Sequence, residues 1–371
     1  METRTNLEPS AGAMAWRGAD FGDPAQYSVD LSPQDRDGIA DTLQRLAQSG
    51  RLAPAHALSA QDFGFGALAG KLRQAFDEVR SGRGFVLLRG LPVDGRSLDE
   101  FIAAVWGIGL HFGHALSQNA QGELIGHVVD ASREDPTPRM FRSNLELRLH
   151  TDWTAMLSLA CWQPSQSGGA SIVTSALTVH DEIARRAPHL LEMLYRGFHY
   201  HRLGEEGPGE ERVTPYRIPV FCQRNGQLSC RYQRAGIAAG HRDLGVALGA
   251  TEIEALNLFD EVARAPENRL AFHLDRGDML VVNNFTVMHA RTAFTEYPEP
   301  ERRRHLIRLW PDAQGFRDVP REFMLFAKHG VPPQPGRQCS YDFKKLYGDD
   351  PVASGGMPEI KLGRTEASRS A

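Results

Sequence analysis

The sequence predicts a mainly β fold, a sandwich or jelly roll with helices packed around it. Short apolar segments of strand character recur along the chain and are separated by turns rich in glycine and proline. Longer segments with helical spacing of apolar residues interrupt them, and no internal repeat is apparent. The predicted strands cover 84–90, 123–129, 145–151, 155–162, 171–174, 218–223, 228–232, 270–273, 278–283 and 304–310. The predicted helices cover 37–50, 68–82, 98–107, 178–195 and 251–264.

The 371 residues have room for one large domain with a sizeable core. We expect a polar N-terminal arm over 1–35, a core domain with helical insertions over 36–355, and a polar C-terminal tail over 356–371. Residues 203–212 contain four glutamates together with glycine and proline. This segment is too polar for a core and predicts a mobile loop, either solvated or serving as a lid over a site.

Composition and charge exclude several classes of protein. The chain has 42 basic and 46 acidic residues, a net charge of −4, with both signs interspersed. A basic face for nucleic acid is therefore not expected. Because no signal peptide and no run of 18 apolar residues is present, we expect a cytoplasmic protein without a membrane partner. The four cysteines show no C-x-x-C spacing and indicate reduced thiols. The sequence leaves open whether the chain forms a homo-oligomer.

Three residues predict a metal centre. His150-Thr151-Asp152 ends a predicted strand, in which residues two apart share a face. His150 and Asp152 could then bind one metal ion, with Thr151 and Trp153 pointing away. A second histidine, His289, is predicted at a strand end or the following turn. Two imidazoles and one carboxylate leave three positions of an octahedral metal open, the arrangement of non-haem Fe(II) oxygenases.

The H-x-D pattern is a weak signal by itself, because His241-Arg242-Asp243 has the same spacing. The arginine-rich segment after His289 strengthens the prediction. In the predicted strand 304–310, Arg304 and Arg308 lie on the same face as the apolar residues Leu306 and Trp310, because residues two apart in a strand point the same way. Both arginines should therefore project inward. An arginine beside such a metal can bind an anionic co-substrate through paired hydrogen bonds, and Arg303 is a rival for that role.

Together these motifs resemble the TauD/TfdA family of Fe(II)- and 2-oxoglutarate-dependent dioxygenases, which includes taurine dioxygenase and a γ-butyrobetaine-hydroxylase-like branch. The match covers about residues 80–315. The residues that carry it are His150-Thr151-Asp152, Gly168-Gly169-Ala170-Ser171, Gly277-Asp278, Asn284 followed five residues on by His289, and Arg304 to Arg308. The resemblance implies a double-stranded β-helix, or jelly roll.

The resemblance also implies roles for these residues. His150, Asp152 and His289 would bind Fe(II), with 2-oxoglutarate and O₂ as co-substrates. Arg304 would pair with the distal carboxylate of 2-oxoglutarate, assisted by the hydroxyl of Ser171. Arg308 would lie near the iron and contact either the other carboxylate or an anionic substrate.

The primary substrate is expected to be a small polar molecule. The taurine enzyme has an asparagine four residues before its first ligand, where this chain has Glu146, so taurine is not expected. Arg142 and Asn144, with Glu146, are the predicted substrate contacts. Arg308 favours a substrate with an acidic group, whereas Glu146 and the acidic loop would suit a cationic one.

By the resemblance, oxidative decarboxylation of 2-oxoglutarate to succinate and CO₂ would drive oxidation of an unactivated C–H bond. Hydroxylation is the default outcome, and desaturation, cyclisation or C–heteroatom cleavage use the same oxidant. Two other classes remain as alternatives. A zinc-type metallohydrolase could use the same three ligands, but it would leave Arg304 and Ser171 without a purpose. A non-catalytic jelly-roll binding or sensor protein could retain the fold.

Overall fold

A computed structural model describes residues 12–133 and 139–337. Seven α-helices occur in this part of the chain: α1 Pro33–Gln48, α2 Leu68–Arg80, α3 Leu98–Gly109, α4 Ala176–Arg186, α5 Pro188–Arg196, α6 Arg234–Leu244 and α7 Ala250–Arg264. The strands are β1 Ser28–Asp30, β2 Phe85–Arg89, β3 His114–Ala115, β4 Gly126–Val128, β5 Leu147–His150, β6 Met156–Gln163, β7 Ser167–Gly168, β8 Ser171–Ser175, β9 Phe221–Arg224, β10 Gln227–Cys230, β11 Arg269–Phe272, β12 Met279–Asn283, β13 Val287–Arg291, β14 Phe294–Thr295, β15 His305–Leu309 and β16 Pro311–Asp312.

Two larger sheets organise the fold. The six-stranded sheet has the order β1-β2-β12-β6-β15-β4, in which only the edge pair β1–β2 is parallel. The four-stranded sheet has the order β11-β8-β13-β5 and is antiparallel throughout. Three two-stranded pairs, β9–β10, β7–β14 and β3–β16, and the isolated bridges Phe198–Ile218 and His201–Val213 complete the pairing among the described residues. Neighbours in the sheets are far apart in the chain, so the fold depends on long-range pairing.

Alternation of apolar side chains along the central strands produces two cores. In β2, Phe85 and Leu87 face the core shared with the four-stranded sheet and helices α4, α5 and α7. Val86 and Leu88 face the opposite core, which helices α1, α2 and α3 cover. Strand β12 repeats this alternation. Burial of each such side chain stabilises the fold by about 1.5–3 kcal/mol. Because side chains alternate between the two faces, a slip of one residue in strand register would move each of them to the wrong core.

Local signals explain where several helices begin. Helix α1 begins after Ser32, whose side chain accepts a hydrogen bond from the backbone of Asp35 while the Asp35 carboxylate binds the backbone of Ser32. Pro33 occupies the first helical position, where no backbone donor is needed. Helix α3 has the same reciprocal cap between Ser97 and Glu100.

The structure corrects the helix predictions at two places. The single helix predicted over 178–195 is two helices, because Pro188 begins α5 directly after α4 ends. Helix α6 was not predicted from the sequence. Its segment contains Gly236 and Gly240, which lower helix propensity. Gly240 is needed there because a side chain would contact the backbone of His199.

Parts of the predicted arm and loop are integrated into the fold. Strand β1 joins the six-stranded sheet, and the Trp16 indole, in a buried side chain, donates a hydrogen bond to the Arg83 carbonyl at 2.7 Å. Leu203 and Glu205 are buried, so the expectation that 203–212 is too polar for the interior is wrong for its first residues. The predicted tail 356–371 and Cys339 lie outside the described residues.

The architecture is a mixture of helices and sheets rather than mainly β. Helices of 9 to 16 residues accompany strands of two to eight residues in the described ranges. The ten predicted strands each have a counterpart, as do the other four predicted helices, with ends shifted by a few residues. Of the helices in residues 12–133 and 139–337, none has the length and apolar character to cross a lipid bilayer.

Gly277 provides a test of the close contact between β2 and β12. It has a φ of +84°, its carbonyl accepts a hydrogen bond from Leu91 at 2.8 Å, and a side chain there would lie against the Leu91 carbonyl. We expect Gly277→Ala to lower the free energy of unfolding in urea by about 2–4 kcal/mol. Gly226→Ala is the matched control, because Gly226 has a φ of +74° and open space around it. Equal losses in the two variants would contradict the steric explanation.

Candidate active site

The three predicted metal ligands lie together. His150, Asp152 and His289 each direct one ligand atom to a common point, and these atoms are all within 4.8 Å of one another. Nε2 of His150 is 3.5 Å from one carboxylate oxygen of Asp152, and Nε2 of His289 is 3.9 Å from the other. This donor set, two imidazoles and a carboxylate, fits a divalent iron ion with an open face.

Strand pairing brings the two histidines together. His289 is the Cα partner of His150 in the antiparallel pair β13–β5, and their rings are 4.3 Å apart. The structure places His289 in the middle of β13, not at the strand end or turn that the sequence predicted. The error arose because the preceding strand β12 returns through the short turn 284–286 directly into β13.

Asp152 is held differently from the two histidines. Strand β5 ends at His150, so Asp152 lies in the following coil and not on a strand face. The indole of Trp310 donates a hydrogen bond to the Asp152 carboxylate at 3.1 Å, and Nη1 of Arg308 is 4.0 Å from the same oxygen. Because the strand alternation has ended, Trp153 does not point away as predicted but lines the cavity beside the ligands.

The protonation states suit metal binding. Burial, followed by the charge of the neighbouring His150, lowers the pKa of His289 to about 3, against an opposing contribution from Asp152. Burial by itself would raise the pKa of Asp152, but its contacts with His150, His289 and Arg308 hold that pKa well below its ordinary value. Nδ1 of His150 lies 2.8 Å from the Arg148 carbonyl, which orients the ring with Nε2 free to bind a metal.

Arg304 and Ser171 line the same cavity. Arg304 is buried, precedes β15, and is held by its backbone N–H, which donates to Glu296 at 2.8 Å. Its guanidinium lies over the Phe294 ring, and its buried Nη1 has no hydrogen-bond partner among the described residues. Burial lowers the pKa of Arg304 to about 10, which still leaves it charged at neutral pH. Arg303 is not among the described residues that line the cavity.

Arg308 is fixed in the cavity wall. Its Nε donates to the side-chain oxygen of Gln118 at 2.6 Å, and the Gln118 amide donates back to the Arg308 carbonyl at 2.9 Å. The guanidinium also lies 4.1 Å from the centre of the Phe141 ring. Arg308 is therefore oriented before any ligand binds, with one edge toward Asp152.

The cavity lies between the two larger sheets and is rich in positive charge. Leu157 and Leu159 of β6 line it from one side, and Leu149 of β5 and Ala290 of β13 from the other. Two carboxylates, Asp152 and Glu205, are part of the lining. Seven arginines also line the cavity: Arg139, Arg148, Arg202, Arg234, Arg291, Arg304 and Arg308.

The three predicted substrate contacts are not in this lining. Arg142, Asn144 and Glu146 precede β5, and none of them is among the described residues that surround the cavity. The carbonyls of the neighbouring Ser143 and Leu145 instead accept hydrogen bonds from Arg291. The substrate-contact prediction therefore has no support from the geometry.

Several site residues were missed from the sequence. Arg291 lies two residues beyond His289 on β13 and lines the same cavity. Because residues two apart in a strand share a face, the alternation of side chains could have identified it. Arg139 and Glu205 form an ion pair of 2.8 Å in the cavity wall. No local pattern links these two residues, because the pair joins segments far apart in the chain.

Comparison with known sequences identifies the family. The model of the family described as "Taurine catabolism dioxygenase TauD, TfdA family" matches residues 47–310. FR-33289 synthase of Streptomyces rubellomurinus is 31% identical over 324 residues, which cover 84% of this chain and 93% of that protein. The taurine hydroxylase-like protein SAT17 of Stachybotrys chartarum is 29% identical over 310 residues, 80% of this chain and 78% of that protein.

Solved structures share the fold at low sequence identity. Asparagine oxygenase in complex with Fe(II), (2S,3S)-3-hydroxyasparagine and succinate superposes with a TM-score of 0.59 at 17% identity, covering 76% of this chain and 93% of that chain. The non-haem iron oxygenase OrfP in complex with iron and 2-oxoglutarate superposes with a TM-score of 0.57 at 15% identity, covering 82% of this chain and 99% of that chain. With the family match and the His-Asp-His cluster, the chain belongs to the TauD/TfdA family and is a non-haem iron, 2-oxoglutarate-dependent dioxygenase.

Proposed function

We propose that this enzyme binds Fe(II) through His150, Asp152 and His289 and hydroxylates an unactivated C–H bond of a small anionic molecule. The observation that carries the proposal is the convergence of the three ligand atoms within 4.8 Å at the edge of an arginine-lined cavity. Iron bound there would supply the oxidising chemistry, with 2-oxoglutarate and O₂ consumed and succinate and CO₂ released. The protein provides the open geometry and the contacts that orient both organic molecules.

We infer that Arg304, with Ser171, binds the distal carboxylate of 2-oxoglutarate. A buried guanidinium whose Nη1 has no partner among the described residues calls for an anion, because an unsatisfied buried donor is costly. Ser171 begins β8 in the same cavity and is the Cα partner of Arg291. Arg303 does not border the cavity, and its guanidinium instead donates to the Pro298 carbonyl at 3.3 Å.

The balance of charge supports an anionic primary substrate. Of the seven arginines that line the cavity, three form ion pairs: Arg139 with Glu205, Arg202 with Glu210 and Arg234 with Asp260. Arg308 lies beside Asp152, and Arg304 keeps a buried Nη1 without a hydrogen-bond partner among the described residues, at the place where an anion would bind. Most carboxylates of the acidic loop are already paired and so are not free for a cationic substrate. Three of its glutamates form ion pairs with arginines, in the pairs Glu205–Arg139, Glu206–Arg337 and Glu210–Arg202.

Hydroxylation of a small molecule is also supported by the structural relatives. The asparagine oxygenase structure contains a hydroxylated asparagine and succinate. An OrfP structure contains iron, succinate and (3S)-hydroxy-L-arginine.

We infer that the two larger sheets of this chain form the two faces of a jelly roll, and that Leu203 and Glu205 of the 203–212 loop close one side of its cavity. The buried free cysteines Cys161, Cys222 and Cys230 support a cytoplasmic location.

The metal assignment can be tested with two histidine variants. We expect His289→Ala to abolish the weak visible charge-transfer band that forms with Fe(II) and 2-oxoglutarate under anaerobic conditions, because one of three ligands is lost. His241→Ala is the control, since His241 belongs to the rival H-x-D motif and lies in α6 against the Val246 carbonyl. We expect that variant to keep the band. Loss of the band in His241→Ala alone would overturn the assignment.

The 2-oxoglutarate anchor can be tested with two adjacent arginines. We expect Arg304→Gln to raise the KM for 2-oxoglutarate about 10- to 100-fold, because a charged hydrogen bond contributes roughly 1.5–3 kcal/mol. Succinate production at varied 2-oxoglutarate measures the effect. Arg303→Gln should change this KM less than about twofold. The opposite pattern would make Arg303 the anchor.

The substrate class can be tested by a screen for substrate-triggered succinate release. Each candidate acid, carboxylic, sulfonic or phosphonic, is paired with its neutral amide or ester. We expect release above the substrate-free level with acidic members only, and a product heavier by one oxygen atom in mass spectrometry. His289→Ala provides the enzyme-dependent background. Greater release with neutral or cationic compounds would contradict the charge argument.

A further inference from the structure

We propose that Arg231 is a positioning residue that fixes the main chain of the iron ligand Asp152 and ties it to the turn that leads to His289. This inference rests on the proposed function, since it assigns a role toward the iron to a residue that is not itself a ligand. Arg231 follows β10 and is buried, with 4% of its surface exposed.

The need for such a residue follows from the way the ligands are held. His150 ends β5 and His289 lies in β13, so hydrogen bonds of the four-stranded sheet fix both of them. Asp152 lies beyond the end of β5 and has no ladder partner in the described sheets. A ligand in coil must be held by other contacts to keep the metal geometry within a fraction of an ångström.

Arg231 and Asn284 hold the Asp152 backbone from both sides. Nη1 of Arg231 donates to the Asp152 carbonyl at 2.6 Å and lies 3.4 Å from the Asn284 carbonyl. The side-chain oxygen of Asn284 accepts a hydrogen bond from the Asp152 backbone N–H at 3.1 Å. Both polar groups of the Asp152 backbone are therefore satisfied by residues from other segments of the chain.

The neighbouring residues keep Arg231 in register. The Thr151 backbone N–H donates to the Tyr232 carbonyl at 2.9 Å, and the Tyr232 N–H donates back to the Thr151 hydroxyl at 3.0 Å. The Arg231 N–H donates to the Val220 carbonyl. Segment 231–232 thus runs beside segment 151–152 and positions the guanidinium at the Asp152 carbonyl.

The charge of Arg231 argues against a purely space-filling role. Within the described ranges, no carboxylate forms an ion pair with it at 4 Å or less, and its guanidinium lies 4.1 Å from the centre of the Phe285 ring. A buried cation without an ion-pair partner is costly, and an apolar side chain would pack there without that cost. Its hydrogen bonds to Asp152 and Asn284 are what an apolar residue could not provide.

The same contacts connect the two halves of the metal centre. Asp152 and Asn284 are 132 residues apart in the chain. Asn284 opens the turn between β12 and β13, and His289 is the third residue of β13. Loss of the guanidinium should therefore let Asp152 move relative to His289, which lowers metal affinity rather than blocking substrate.

The test compares metal binding in Arg231→Met, Arg231→Lys and Arg317→Met, each as the full chain. Arg317 is a matched control. Its guanidinium donates to Ser229 at 2.9 Å and to the Leu228 carbonyl, both in β10, the strand that leads to Arg231. No hydrogen bond from Arg317 to Asp152 is present among the described residues. Metal-free protein is titrated with Co(II), a redox-inert probe whose visible bands report coordination geometry. Thermal unfolding of the metal-free variants reports stability separately.

We expect Arg231→Met to weaken Co(II) binding about 10- to 100-fold, the usual effect of losing a residue that orients a metal ligand, with altered visible bands. Arg231→Lys keeps a cation and one donor, so it should lose less affinity, and it decides the question if Arg231→Met does not fold. Arg317→Met should bind Co(II) as the wild type does. The inference fails if Arg231→Met and Arg231→Lys bind as tightly as the wild type, or if Arg317→Met loses as much affinity. If the wild type binds neither Co(II) nor Fe(II), the proposed function itself fails.

Discussion

The pairing of His150 with His289 across two neighbouring antiparallel strands is the contact on which the site depends. Opposite residues in such a pair have side chains about 5 Å apart, close enough for two imidazoles to share one ion. The observed ring separation of 4.3 Å meets that requirement. A slip of one residue between β5 and β13 would turn one histidine away from the cavity and separate the pair. The hydrogen bonds of the four-stranded sheet therefore set the relative position of the two histidines.

Burial of charge is the second constraint on the site. Asp152 is surrounded by histidines and arginines in an interior where charges interact strongly and are costly to leave unpaired. Arg304 and Arg308 stay close to the metal ligands without a carboxylate of their own at hydrogen-bonding distance. The site is consequently complementary to small anions. Two carboxylates of a keto-diacid would relieve the excess positive charge beside the metal.

The acidic loop contributes Leu203 and Glu205 to the lining of the cavity. Glu205 and Glu210 form ion pairs with Arg139 and Arg202 of the cavity, and Glu206 forms an ion pair with Arg337. Leu325, Phe326 and Val331, in the segment that precedes Arg337, also line the cavity. The charge of the cavity wall therefore depends on ion pairs formed between distant parts of the chain.

The sequence by itself determined the family and most of the strands and predicted the candidate metal ligands, because motif spacing, strand alternation and residue chemistry can be read from the chain alone. His150, Asp152, His289, Ser171 and Arg304 were all found in this way, and the structure brings them to one cavity. Only the tertiary structure decided what depends on distant pairs: the mid-strand place of His289, the cavity position of Trp153 and Arg291, and the paired state of Glu205. These follow from strand register and from contacts between remote segments, which no local pattern encodes.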